Sequence, residues 1–349
     1  MHFTVRIATT NNVTEPTSLC PLYLIQKCDI MKSELATKFQ DPSRGVYFIG
    51  TTPPKSSLEE EQLSLVSQKL IERLNNIEVD GLIVYDIQDE TSRIDKPRPF
   101  PFMETHDPRA WSKRLHQQSD KPVITYKSVS SRSSEEFSGW LTEAWEQYGI
   151  RDLVLVGSPS SNGDIKLPLP QAYETLKASP HDFNLGGVTI AERHAKKGDE
   201  HVRLLKKSES GCEFFISQAV YNHQATADLI SRYARACKEK GEAPKRIILT
   251  FTPCGSAKTL EFMEWLGISV PDATKHRILD ASAPLEESIK ICRNALEQII
   301  ETALPLGVPL GLNIESLTNR KEEIDASIQL YKLLKATLDL KLAEQSLAK

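Results

Sequence analysis

Residues 186–222, GGVTIAERHAKKGDEHVRLLKKSESGCEFFISQAVYN, hold a concentration of side chains able to do chemistry. Glu192, Arg193, His194, Lys196 and Lys197 follow one short apolar run, Leu185 to Ile190, and Gln218 stands near the end of another, Glu213 to Val220. A carboxyl and an imidazole can move protons. A side-chain amide offers both a donor and an acceptor, which suits the mixed edge of a heterocycle. The bases Arg193, Lys196, Lys197, Arg203, Lys206 and Lys207 begin in a loop and run into a helix, where charge and helix dipole together could hold a phosphate or carboxylate. Composition alone favours the plainer assignment, in which Lys206 and Lys207 are the solvated face of an outer helix.

These groups need elements to position them. Residues 198–210 carry Val202, Leu204 and Leu205 on an otherwise charged stretch, so a helix should join the two apolar runs as parallel strands. In parallel α/β sheets, ligands bind at the carboxyl ends of the strands. The same rhythm extends along the chain. Strands are expected at Val46–Gly50, Gly81–Asp86, Pro122–Lys127, Asp152–Gly157, Arg246–Thr252 and Val308–Ile314. Helices are expected at 58–74, 108–118, 134–148, 171–177, 223–240, 256–266, 285–304 and from 321 onward; 134–148 is the clearest, with Phe137, Trp140, Leu141, Ala144, Trp145 and Tyr148 at helical spacing.

Strand alternating with helix predicts an α/β fold, a (β/α)₈ TIM barrel over residues 41–349, with residues 1–40 as an N-terminal extension packed on it. In that extension Val5–Ala8 and Pro21–Ile25 could form short strands. A doubly wound open sheet is the runner-up. It is disfavoured because no strand is followed by a GxGxxG turn, and Gly186-Gly187 precedes its strand.

Composition narrows the partners. A net charge of −4 over 349 residues leaves no basic surplus for general nucleic-acid binding. No apolar run approaches the roughly 20 residues that span a bilayer, and no secretory signal is evident, so a cytoplasmic protein off the membrane is expected. The 6 cysteines form no CxxC pair, and Cys212, Cys237 and Cys292 fall in apolar patterns as buried thiols. Homo-oligomers are left open.

The expected C-terminal face presents Gly50, Asp86, Lys127, Gly157, Ser158, Glu192, His194, Gln218, Tyr221, Asn222, Thr252, Asn313 and Glu315. That mixture of amides, hydroxyls and carboxylates is poor for zinc, and His194 and His201 are not spaced for one helical face, so no metal is expected.

Several of these residues lie in motifs that resemble the methylenetetrahydrofolate reductase family, through much of residues 46–335. Phe48-Ile49-Gly50-Thr51-Thr52-Pro53-Pro54-Lys55 is similar to that family's first strand. Gly149-Ile150-Arg151 with Leu153 to Gly157 looks like its fourth helix–strand junction, and His194, Leu204-Leu205-Lys206-Lys207, Gly211 and Ile216-Ser217-Gln218 follow its order through strands five and six. Thr252-Pro253, Trp265-Leu266 to Val270-Pro271 and Leu317-Thr318-Asn319-Arg320 resemble later segments.

The resemblance implies reduction of 5,10-methylenetetrahydrofolate to 5-methyltetrahydrofolate, with FAD as flavin and NAD(P)H as hydride donor. It implies folate contacts at Gln218, Ser158, Tyr221 and Asn313, and flavin contacts at Tyr85, Gly157, His194, Arg203, Lys206 and Lys207. The departures are specific. The family's acidic proton donor falls at Gly50, its aspartate beside the flavin at Ser158, and a threonine at Tyr85, as in a divergent, noncanonical branch. The folate side is thus fuller than the flavin side; without FAD, hydride would pass directly from NAD(P)H to the folate.

In a closed barrel strand eight lies beside strand one, so Glu315 would stand next to Gly50 and could supply the missing proton. Glu192 is the second candidate. The plainer role for Glu315 is pairing with Arg320. Two other functions compete: a pterin-dependent methyltransferase barrel, and a catalytically silent folate-binding protein.

Overall fold

The computed structural model describes residues 33–91, 94–158 and 165–347. Eight parallel strands close into one barrel in sequence order, β1 (Tyr47–Thr51), β2 (Gly81–Val84), β3 (Val123–Ser128), β4 (Asp152–Val156), β5 (Asn184–Thr189), β6 (Phe214–Ala219), β7 (Arg246–Phe251) and β8 (Leu310–Ile314). Closure is direct: Phe48 of β1 registers against Asn313 of β8, and Ile49 against Ile314. The TIM barrel expected from the alternation of elements is therefore present, and the open sheet is excluded.

Twelve helices accompany the strands in the described residues: α1 (Glu34–Gln40), α2 (Glu60–Leu74), α3 (Pro108–Ser119), α4 (Ser134–Glu146), α5 (Leu169–Lys177), α6 (Ala191–Lys197), α7 (Glu200–Glu209), α8 (His223–Lys240), α9 (Ala257–Trp265), α10 (Asp272–Leu279), α11 (Pro284–Ala303) and α12 (Lys321–Leu347). Three were not anticipated, α1, α6 and α10. The polar loop expected after β5 is the helix α6, which stops at Gly198, whose amide closes on the His194 carbonyl at 2.7 Å. Residues 272–279, left between two expected helices, form α10; only Ile278 of it is buried, so it carries no apolar stripe for a pattern to reveal.

Period-two alternation sorts each strand into an outer face under the helices and an inner face lining the barrel. The outer layer is one large apolar cluster that includes Leu82, Leu153, Phe215, Leu249 and Leu312 with Trp140, Tyr233 and Leu296 of the helices. The inner layer is Val46, Phe48, Ile83, Ile124, Tyr126, Val154, Phe214, Ile216 and Ile248. Gly186-Gly187 lies inside β5 and does not precede it; a Cβ on Gly186 would stand 2.4 Å from the Phe214 ring, so this inner position has room only for hydrogen.

Helix α1, within the range assigned from sequence to the extension, closes the amino-terminal end of the barrel. Its Leu35 and Phe39 join the inner cluster, with the Phe39 ring 4.5 Å from that of Phe214. Arg246, fully buried, gives its guanidinium to the carbonyls of Lys38, Phe39, Asp41, Arg44 and Leu310. A cation spread over the carbonyl end of a helix complements its dipole. Ser33 caps α1 and donates to Asp152 Oδ1 at 2.5 Å, and Asn184 Nδ2 donates to the same oxygen at 2.6 Å. The strands suggested at Val5–Ala8 and Pro21–Ile25 lie outside the described residues.

Cys212, Cys237, Cys254 and Cys292 are buried free thiols. No helix among the described residues is long and apolar enough to cross a membrane.

Candidate active site

At the carboxyl end of the barrel the inner layer changes from apolar to polar. Asn313, on β8, is completely buried; its Nδ2 donates to the Tyr85 hydroxyl at 2.7 Å and to Thr250 Oγ1 at 3.1 Å. The Glu315 carboxyl lies within electrostatic reach of the Tyr85 hydroxyl. Glu315 follows β8 directly, its amide held by the Phe251 carbonyl at 3.1 Å. Tyr126 of β3 packs edge-on against Tyr85, ring centroids 4.9 Å apart.

Gly50 completes the group. A Cβ there would lie 3.0 Å from both the Tyr85 hydroxyl and Asn313 Oδ1, so the glycine makes room for that pair. Three expectations thereby meet in one place: Gly50, Asn313 and Glu315 are neighbours, and Glu315 does stand beside the end of β1. Tyr85, expected at a flavin, joins them.

Electrostatics give Glu315 an acid's character. Burial pushes its carboxyl up to about 7, and the nearby Tyr85 hydroxyl opposes that shift. Burial likewise drives the Tyr85 hydroxyl well above the usual phenol range. The plainer role does not hold, because Arg320 is nearest to Glu323, at 4.0 Å. A carboxyl that keeps part of its proton near pH 7 can give it to a ligand nitrogen.

A roof spans this mouth. The long connections after β2 (residues 85–107) and after β7 (residues 252–283) are joined by Trp265 Nε1 donating to the Lys96 carbonyl at 3.1 Å. The Arg98 guanidinium sits 5.1 Å and 5.3 Å from the ring centres of Phe262 and Trp265. On the far side, Gln218 Nε2 donates to the Leu266 carbonyl at 2.8 Å and Glu192 Oε1 accepts from the Ser269 amide at 3.1 Å. The connection after β7 thus touches both the loop after β2 and strand β6. Burial raises the Glu192 carboxyl from its ordinary value. Glu192 supports this connection, three strands around the ring from Glu315.

Other expected site residues are drawn elsewhere. Tyr221 is buried in the outer layer and donates to the Thr252 carbonyl at 2.8 Å, so it does not face the mouth. Lys127 also points outward, pairing with Asp86 at 2.8 Å beside the Trp140 ring. Gly157 and Ser158 follow β4, next to residues outside the described range.

Much of the basic cluster is held by partners within the chain. Arg203 pairs with Asp199 at 3.3 Å, and Arg193 with the fully buried Glu200 at 2.9 Å. Lys206 is exposed, while Lys207 runs under α7 to the Val188 carbonyl, its ammonium lowered by burial. His194 is buried on an outer groove of about 720 Å³ shared with His201 and Arg232 of α8. Arg203 also reaches Glu200, at 3.8 Å, so Arg193 and Arg203 share one buried carboxylate, while Tyr85 stands at the barrel mouth.

Sequence patterns missed Tyr126 and Thr250. The signal was present: both lie at even steps from buried apolar residues, Ile124 and Ile248, and so share their inward phase.

A solved structure described as an uncharacterized protein from Clostridium thermocellum that binds two copies of 5-methyl-5,6,7,8-tetrahydrofolic acid is 37% identical to this chain. The similarity covers 87% of this chain and 99% of that one, at a TM-score of 0.75. The chain belongs to that protein's family. No protein-family model matches, and no curated protein does. Beyond the family, apo-MsnO8 (13% identity, 85% and 99% of the two chains, TM-score 0.49) and N-(5'-phosphoribosyl)anthranilate isomerase from Pyrococcus furiosus (14%, 83% and 99%, 0.41) are distant likenesses that carry no functional argument.

Proposed function

We propose that this protein binds a reduced folate at the roofed mouth of the barrel and reduces 5,10-methylenetetrahydrofolate to 5-methyltetrahydrofolate. The observation that carries this is the polar group at the carboxyl end of the barrel, where the buried Asn313 holds the Tyr85 hydroxyl at 2.7 Å above Gly50 and Glu315 follows on the same strand end. The family member that holds 5-methyltetrahydrofolate supports the ligand class.

The chemistry balances around that acid. Protonating N10 of the bridged folate opens the five-membered ring and leaves an iminium at N5. A hydride from NAD(P)H then adds to the methylene carbon, giving the N5-methyl group and NAD(P)⁺. Glu315 supplies the proton and is left as a carboxylate. In this scheme hydride passes directly from nicotinamide to folate, with no flavin between them.

A second function draws on the same acid. Protonating N5 of 5-methyltetrahydrofolate prepares its methyl for transfer to a nucleophile of a second substrate. The methylated ligand of the Clostridium protein favours it. NAD(P)H oxidation that depends on methylenetetrahydrofolate selects reduction; its absence, with 5-methyltetrahydrofolate still bound in calorimetry, selects methyl transfer or simple binding. Absence of folate binding would remove the whole assignment.

A further inference from the structure

We infer that the outer groove bordered by α6, the start of α7 and α8 is a further ligand site, one that takes the phosphate group of a small molecule. It shares no residue with the Asn313, Tyr85 and Gly50 group at the mouth, and so stands apart from the folate assignment.

Two imidazoles open the argument. His194 of α6 and His201 of α7 line the groove edge to face, ring centroids 5.4 Å apart. His194 is only 6% exposed, and Nδ1 of both rings is shut off from water without a partner. Buried polar groups are normally bonded, so two under-bonded rings side by side call for more than packing. An imidazole N–H can donate to an oxyanion. A metal is not the alternative, because His194, His201 and Asp228 form no ligand group for an ion among the described residues.

The cations are in place as well. Arg232 and Arg235 of α8 line the same groove, are exposed, and take no ion-pair partner among the described residues. The bordering acids leave them available: Asp228 accepts from the Gln224 amide at 3.3 Å, and Glu239 pairs with neither arginine. Helix α7 begins beside the groove, where Gly198 lies, and Asp199 gives this helix of 10 residues no side-chain cap. Open amides and the dipole at such an end favour an anion. Guanidiniums, imidazoles and amides from three elements offer more donors than the two oxygens of a carboxylate can take, which suits a phosphate. About 720 Å³ is room for a small molecule around that group.

Protons should follow the anion. His201 and Asp199, with Asp228 and Arg232 of α8, are the titratable and charged groups around His194, and burial holds its imidazolium below the ordinary value. A bound anion favours the imidazolium, so binding should tighten as pH falls.

The test is calorimetry on the full chain with inorganic phosphate and with sulfate at matched ionic strength, alongside nitrogen NMR of the histidine rings. Phosphate should bind saturably and shift the ring signals of His194 and His201. Sulfate, whose charge is constant, should bind several-fold more tightly at about pH 6 than at about pH 8, and His194→Asn should flatten that dependence. Arg232→Met, an exposed change, should weaken phosphate about tenfold and leave 5-methyltetrahydrofolate affinity unchanged. No saturable phosphate binding by the wild type, or binding unchanged in both variants, would overturn the site. Acetate bound as tightly as phosphate would overturn the ligand class, and a fall in folate affinity in Arg232→Met would overturn its independence from the mouth.

Discussion

Gln218 and Glu192, from adjacent units of the barrel, hold one short segment between them: the amide donates to the Leu266 carbonyl at 2.8 Å and the carboxylate accepts from the Ser269 amide at 3.1 Å. The polar cluster after β5 and the glutamine of β6 thus serve the roof that follows α9. Any contact of Gln218 with a pterin would be made from beneath that roof.

Gln218→Ala should leave the fold intact and weaken folate binding about tenfold, the worth of one hydrogen bond. Amide exchange across residues 266–270 should quicken in the same variant. Calorimetry showing an unchanged folate affinity would take Gln218 out of the site.

Glu315→Gln keeps shape and removes the proton. Turnover should fall by about 10² to 10⁴, with folate affinity nearly unchanged. In the wild type kcat should decline as pH rises through about 7, since the neutral acid is the active form. The sign for stability agrees: a carboxyl raised from 4.5 to about 7 on folding stabilises the protein below the lower value, and that stability is lost as pH rises through the higher one. Melting curves of the glutamine variant should lack this loss.

Lys207→Met tests whether the basic cluster serves a ligand. The ammonium is spent on the Val188 carbonyl beneath α7, so KM values should not move while thermal stability falls by a few degrees. A raised KM for any anionic ligand would restore the cluster to the site.

Asp152 offers a pH test at the opposite end of the barrel. Burial raises its carboxyl to about 6, against the pull of Ser33 and Asn184. Its folded value lies above the unfolded 3.8, so its contribution is present below that pH and lost as pH rises through about 6. Asp152→Asn should flatten the melting temperature across that window, and a wild-type slope in the variant would contradict the burial argument.

Strands and most helices were legible because apolar spacing of two and of three to four is imposed by local geometry. Trp140, Leu141, Ala144 and Trp145 recur as a helix must, and all four are buried. Where the pattern was weak it failed: α10 buries a single residue, and α6 is a polar helix of 7 residues whose start is tied by Glu200 reaching back to the Ile190 amide at 3.1 Å. Side-chain direction was harder. Lys127 and Tyr221 stand at strand ends as expected, yet the pleat points both outward, while Tyr126 and Thr250 point in.

The order of amino acids alone determined the fold class, since eight alternations of strand and helix without a dinucleotide turn leave a barrel as the natural closure. It also placed Glu315 just beyond the last strand, next to the glycine that opens the first. Only the tertiary structure decided that this carboxyl is raised from its ordinary value. Asn313 and Tyr85 are 228 residues apart in the chain and meet because β8 closes on β1 beside β2. The pKa of Glu315 follows from water excluded by that closure, a quantity that no local pattern of residues carries.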